Sequence, residues 1–127
     1  MPSKSQCPAE LLKGIDEFNG QQFFECHETL EALWQKQPEP ERQFTQGIIQ
    51  IAVGYYHLLR GNREGAIKLF ARGLARIRNY EPQHRGINVT ALAGAVARNL
   101  EFARSAPADA SAGLDIPKIQ FESQEAP

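Results

Sequence analysis

Positions 41–60 read ERQFTQGIIQIAVGYYHLLR, a stretch that can settle only as a helix enclosed on several sides. Phe44, Ile48, Ile51, Tyr55, Leu58 and Leu59 recur at helical spacing on one side. Ile49, Val53 and Tyr56 widen the apolar arc well beyond the ~100° of a surface helix. The rest of the chain therefore has to supply its cover. The polar exceptions, Gln43, Gln46, Gln50 and His57, gather on one narrow stripe, with Gly47 and Gly54 beside it. Glycine costs about 1 kcal/mol in a helix interior, so two on one side imply close approach of a partner backbone. The amide stripe would also suit a homodimer seam, because a two-fold axis gives each amide an identical partner.

Four more helices are expected around this one. Pro8 stands where a first helical residue is tolerated, and Leu11, Leu12, Ile15 and Phe18 follow up to an Asn19-Gly20 stop. A second helix runs from about Gln21 to Lys36 with Phe23, Cys26, Leu30, Leu33 and Trp34 as its core stripe, and Pro38 and Pro40 end it. Gly61-Asn62 stops the long helix and caps the next, from Arg63 to about Tyr80, with Ala66, Leu69, Phe70, Gly73, Leu74 and Ile77 on its apolar face. Positions 81–86 read as a loop, and Asn88 or Thr90 caps a fifth helix through Leu92, Val96, Leu100 and Ala103. No segment alternates for a strand, so the class is all-α: a compact bundle of about five helices. Gly54, Gly61, Ala66, Phe70 and Gly73 fall where a tetratricopeptide helical hairpin places its small residues and its aromatic, without a recurring 34-residue period. The division is a disordered N-terminus at 1–7, one helical domain at 8–105, and a linker and tail at 106–127. In that tail the LDIPKIQF of 114–121 is expected to lie extended along the domain.

A length of 127 residues buries an ordinary core without metal or disulfide support. The net charge of −1 argues against nucleic-acid binding by bulk electrostatics. Charge is nonetheless split: eight acids face Lys13 and Lys36 between positions 10 and 41, and seven Lys/Arg face Glu64 and Glu81 between 60 and 85. Opposed surfaces of this kind attract within the fold or between subunits. Cys7 and Cys26 match no disulfide scaffold or zinc spacing, and Cys26 reads as a small hydrophobe. Neither a leader nor a membrane span is evident, so the expectation is a cytoplasmic protein with no membrane role and no cofactor.

Chemistry concentrates in FFECHETLEALW at 23–34. On a helical wheel His27 lies about 40° and Glu31 about 80° from Phe23, at the margin of the apolar face. Four residues apart, the two can meet, and Glu28 sits just outside. A carboxylate there costs several kcal/mol unless it is paired. Three readings stay open, the first preferred. A closed network of His27, Glu31, Trp34, Gln46, Gln50 and His57 would fix the register of helices two and three. Alternatively, a pocket would use Glu31 to orient His27 and Glu28 as acid or base. Last is a metal site of His27, Glu28, Glu31 and His57, not expected because bundle di-metal sites take Glu-x-x-His from two helices and this chain has His-Glu-x-x-Glu once.

With these residues the chain resembles the family catalogued as domain of unknown function 309. The likeness lies in FFECHETLEALW at 23–34, QGIIQIAVGYYHLLRGN at 46–62 and GAIKLF at 65–70, within the span 18–80. The family-like positions are His27, Glu28, Glu31, Trp34, Gln46, Gly47, Gln50, His57, Gly61 and Asn62. The resemblance implies a compact all-helical domain with no assigned activity. The expectation is a binding or interaction module, with a homodimer or another protein as partner. The alternative is a small-molecule hydrolase, metal-assisted or acid–base, with His27, Glu28, Glu31 and His57 as its catalytic candidates.

Overall fold

The computed structural model describes residues 7–106 and 114–122. Residues 1–6 and the 107–113 stretch of the linker lie outside those described. Five helices dominate: α1 (Ala9–Asn19), α2 (Phe23–Lys36), α3 (Glu41–Leu59), α4 (Arg63–Ile77) and α5 (Val89–Ser105). Each packs on its sequence neighbour except for α5, which reaches α4 after a turn of 3-10 helix and a short hairpin. The all-α class holds, and α3 lies at the centre with ten of its residues buried.

The helix ends follow from local chemistry. At the end of α3, Gly61 takes φ +83 while its N–H donates to Leu58 O at 3.1 Å and the Asn62 N–H to His57 O at 2.8 Å. This paired closure needs one left-handed residue, and glycine adopts it freely. Asn62 then turns round to cap α4, its Oδ1 accepting from Gly65 N at 3.1 Å. Asn88 caps α5 in the same way, through Ala91 N at 3.0 Å. The end of α1 departs from the expected glycine stop. Gly20 keeps φ −90, and the left-handed residue is Gln21 at φ 60, with its N–H on Phe18 O and the Gln22 N–H on Glu17 O. A side chain in that conformation costs roughly 1–2 kcal/mol.

The close approach expected of the glycines is seen between α3 and α4. A β-carbon on Gly47 would stand 2.7 Å from Ile77 Cγ2, and one on Gly73 would stand 2.8 Å from the Gly47 carbonyl oxygen. Gly54 leaves room for the Phe70 ring, 2.7 Å from where its β-carbon would be. The two backbones therefore touch through paired small residues, the densest contact in the bundle.

One segment departs from expectation, and the tail packs beside it. The 81–86 loop is a hairpin, with β1 (Gln83–His84) pairing antiparallel to β2 (Ile87–Asn88). Its two-residue turn puts Arg85 at φ 53 and Gly86 at φ 79, the mirror-image turn that suits strand twist. Phe121 makes a bridge to Ile87, Glu122 N donates to Gly86 O, and the side-chain amide of Asn19 both donates to and accepts from the Ile119 backbone, at 3.1 and 2.7 Å. Ile119 is buried. Leu59, expected in the core, stands 52% exposed, at the last position of α3.

Polar side chains tie the hairpin to α3. Glu41 accepts from His84 Nε2 at 3.0 Å and Arg85 Nε at 3.2 Å, while the His84 ring lies between Phe44 and Tyr80. Burial raises the Glu41 carboxyl, but hydrogen bonds and charge from His84 and Arg85 outweigh it and hold it below its ordinary 4.5. Burial pushes the Cys26 thiol up to about 12 and the Cys7 thiol to about 11, so both stay protonated and unreactive near neutrality.

Two outcomes are expected. In Tyr55→Phe the buried Asn99 oxygen loses the hydroxyl that now donates to it at 2.5 Å. Denaturant unfolding should show a loss of about 1–3 kcal/mol, and an unchanged midpoint would remove the pair from the account. Because the Glu41 carboxyl is lowered in the folded state, its contribution is complete above about 4.5 and fades as pH falls through the folded value. Glu41→Gln should therefore lower the thermal midpoint at neutral pH and flatten its decline on the acid side; parallel curves for the two proteins would contradict this.

Candidate functional site

The chemistry-bearing stretch forms α2, and its apolar stripe of Phe23, Cys26, Leu30 and Leu33 is buried as the periodicity requires. Helical spacing brings His27 and Glu31 together, with Nε2 to Oε2 at 3.2 Å. The pair is not closed off: the His27 side chain is 29% exposed and that of Glu31 49%. Glu28 is exposed on the next position round. Closure fails because α3 meets α2 on the Phe23 side, leaving the margin of the stripe facing outward.

The expected partners divide between two places. Gln50, nearly buried, accepts from Arg76 Nη1 at 3.1 Å, and Gln43 accepts from Arg76 Nε at 3.0 Å. The glutamine stripe thus faces α4, beside the glycine contact, and not the histidine of α2. Wheel geometry put the stripe on one side of α3, but α2 and α4 flank α3 on different sides. Gln46 is half-buried one turn before Gln50. Trp34, expected as a core anchor, is only half-buried and carries the Arg42 guanidinium 4.1 Å from its ring centroid.

His57 does come to His27. Both line a cleft of about 110 Å³ between α2 and α3, with Phe23, Phe24, Val53 and Tyr56 as the remaining walls. The lining is almost wholly apolar. A broader, shallower depression adjoins it, sharing Phe23, Phe24 and Tyr56 and adding Gln21, Glu25, Leu59 and Arg60. The Phe24 ring leans on His27 at 5.8 Å and on Tyr56 at 5.8 Å, and Arg60 covers the far face of Tyr56 at 5.2 Å. Phe24, 47% exposed, and Leu59 are the large hydrophobics left exposed among the described residues, and both border this depression. Reading the sequence for polar groups passed over Phe24 and Leu59. The available signal for Phe24 was an aromatic beside the core stripe, not on it.

The helix junction sets the state of His57. Asn62 Oδ1 is engaged as the cap of α4, so its amide nitrogen is the end that points to His57 Nδ1, at 3.3 Å. That amide donates, so Nδ1 accepts and the neutral ring carries its proton on Nε2. His27, Glu28, Glu31 and His57 do not converge as a ligand set. Among the described residues no three His, Cys, Asp or Glu side chains come together to hold a metal ion.

Comparison with known proteins adds a family match. Residues 11–69 match the family described as Domain of unknown function (DUF309). The resemblance carried by the three motifs is thereby borne out, and the matched stretch runs from α1 into α4, taking in the whole cleft. The chain is also similar to an uncharacterized protein, YpuF, of Bacillus subtilis (strain 168), at 37% identity over 82 residues. That alignment takes in 63% of this chain and 45% of the relative, so the chain spans less than half of the curated relative's length. No helix among the described residues is long and apolar enough to cross a membrane.

The Asn62 junction makes a checkable statement. Long-range nitrogen–proton spectra of the neutral protein should show His57 protonated at Nε2 and bare at Nδ1. Asn62→Ala should cost about 1 kcal/mol through the lost cap and let the two tautomers mix. A proton on Nδ1 in the unaltered protein would refute the assignment.

Proposed function

We propose that this chain is an interaction module whose α2–α3 cleft receives an apolar side chain of a partner protein. The observation that carries the reading is the placement of Phe24 and Leu59. Two large hydrophobics outside the core border a mixed polar and apolar depression, and that depression adjoins the apolar cleft, so the polar groups stand as a rim beside it. Such a core-and-rim layout is how a contact face differs from ordinary surface. The α3–α4 hairpin, tetratricopeptide-like in its spacing of Gly54, Gly61, Ala66, Phe70 and Gly73, backs the cleft with a rigid wall. A cytoplasmic setting suits its two unpaired thiols.

Hydrolysis by His27, Glu28, Glu31 and His57 has less behind it. His27 and His57 reach one cleft, but its other lining residues are Phe23, Phe24, Val53 and Tyr56, and neither glutamate is among them. Acid–base work needs a base within hydrogen-bond reach of the reacting group, and a wall of hydrocarbon offers a substrate little to orient it.

Selection from a displayed library of short peptides, against dilute protein, tests the module. Sequences with an aromatic or branched anchor should be enriched, and Val53→Trp, which fills the cleft floor, should abolish their binding while α2 and α3 stay folded. Enrichment of nothing, or of peptides indifferent to Val53→Trp, would sink the reading.

A further inference from the structure

Resting on that reading, we infer that the cleft's partner is a second copy of this chain, docked about a two-fold axis over α2 and the end of α3. Three observations converge on self-association. The first is shape. Phe24, one wall of the cavity it shares with Phe23, His27, Val53, Tyr56 and His57, is 47% exposed, so one surface carries both an exposed ring and a recess. A two-fold contact requires a patch that complements itself, and an exposed ring next to its own recess meets that requirement.

The second is charge. Glu25 and Arg60 both border the broader depression, from α2 and from the residue that ends α3. Neither forms an ion pair among the described residues; Arg60 lies on the Tyr56 ring instead. An unpaired acid and an unpaired base on one patch can meet their opposites when the patch meets its own copy about a two-fold axis. Glu25 of each copy then faces Arg60 of the other, and such rim pairs set orientation more than strength. A partner with a uniformly acidic or basic face would be repelled by one flank.

The third is the fate of the alternative seam. The amides of Gln43 and Gln50, which would suit a dimer axis by sequence, are held by Arg76 of the same chain. The carbonyl oxygens of both are thus already engaged within the chain, which leaves that face less to offer a second copy. The basic and acidic halves also interlock little within the chain. Beyond Glu41 with His84 and Arg85, the ion pairs across described elements are local or lie within the acidic half, as in Lys36 with Glu10. The net charge of −1 sets up little repulsion between copies.

Sedimentation equilibrium of the full chain across the micromolar range tests this. The unaltered protein should dimerise, and Phe24→Asp and Leu59→Asp, at exposed positions, should each raise Kd at least about tenfold with thermal midpoints unchanged. Glu25→Arg should raise Kd, and Glu25→Arg with Arg60→Glu should bring it back. A monomer throughout, a dimer indifferent to Phe24→Asp, or a double reversal no better than the single one overturns the proposal. If the chain is monomeric but library peptides still need the cleft, the module stands and its partner is another protein. If both assays fail, the module falls with the dimer.

Discussion

All five helices meet at the side chain of Tyr55. It is fully buried on α3, and around its ring stand Phe18 of α1 at 6.0 Å, Phe23 of α2 at 5.4 Å and Phe70 of α4 at 4.6 Å. Its hydroxyl, kept protonated because burial pushes it well above the usual tyrosine range, donates to Asn99 of α5. Edge-to-face and offset pairs of this kind add about 0.5–1.5 kcal/mol each to what area burial supplies. The single polar bond has a different part. Dispersion among rings tolerates sliding, whereas a buried hydroxyl with one acceptor tolerates little, so it sets where α5 sits along α3.

The glycine contact decides which neighbour α3 approaches on each side. Without β-carbons at Gly47 and Gly73 the α3 and α4 backbones touch, and the Arg76 side chain is brought alongside Gln43 and Gln50. On the other side, α2 packs on α3 through the buried Phe23, and the cleft opens beside that contact. The tight contact and the open one are thus two consequences of the same helix. A face that packs through glycine excludes even a methyl group, and a face that packs through phenylalanine leaves gaps at its ends. The two exposed hydrophobics lie at such an end.

The junction residues link the fold to the site. Asn62 closes α3, caps α4 and orients His57, so the cleft's histidine is held by the same side chain that turns the chain. Gln21, in a left-handed conformation that glycine would adopt more cheaply, sits on the rim of the depression. Local strain at a surface site tends to mark function more than stability.

The sequence by itself determined the five helices, most of their ends and the central burial of α3. Each of these follows from spacing at 3.6 residues per turn and from capping chemistry, which act within a few positions. It also put His27 next to Glu31, for the same reason. Tertiary structure decided the rest. Whether Gln50 meets His27 or Arg76 depends on which helix flanks which side of α3, and a wheel carries no such information. The bond of Glu41 to His84 joins residues 43 positions apart through a hairpin whose two-residue strands are too short to show alternation. The openness of the cleft is of this kind too, because exposure is a property of what fails to arrive, and only the packed bundle shows that Phe24 and Leu59 stay uncovered.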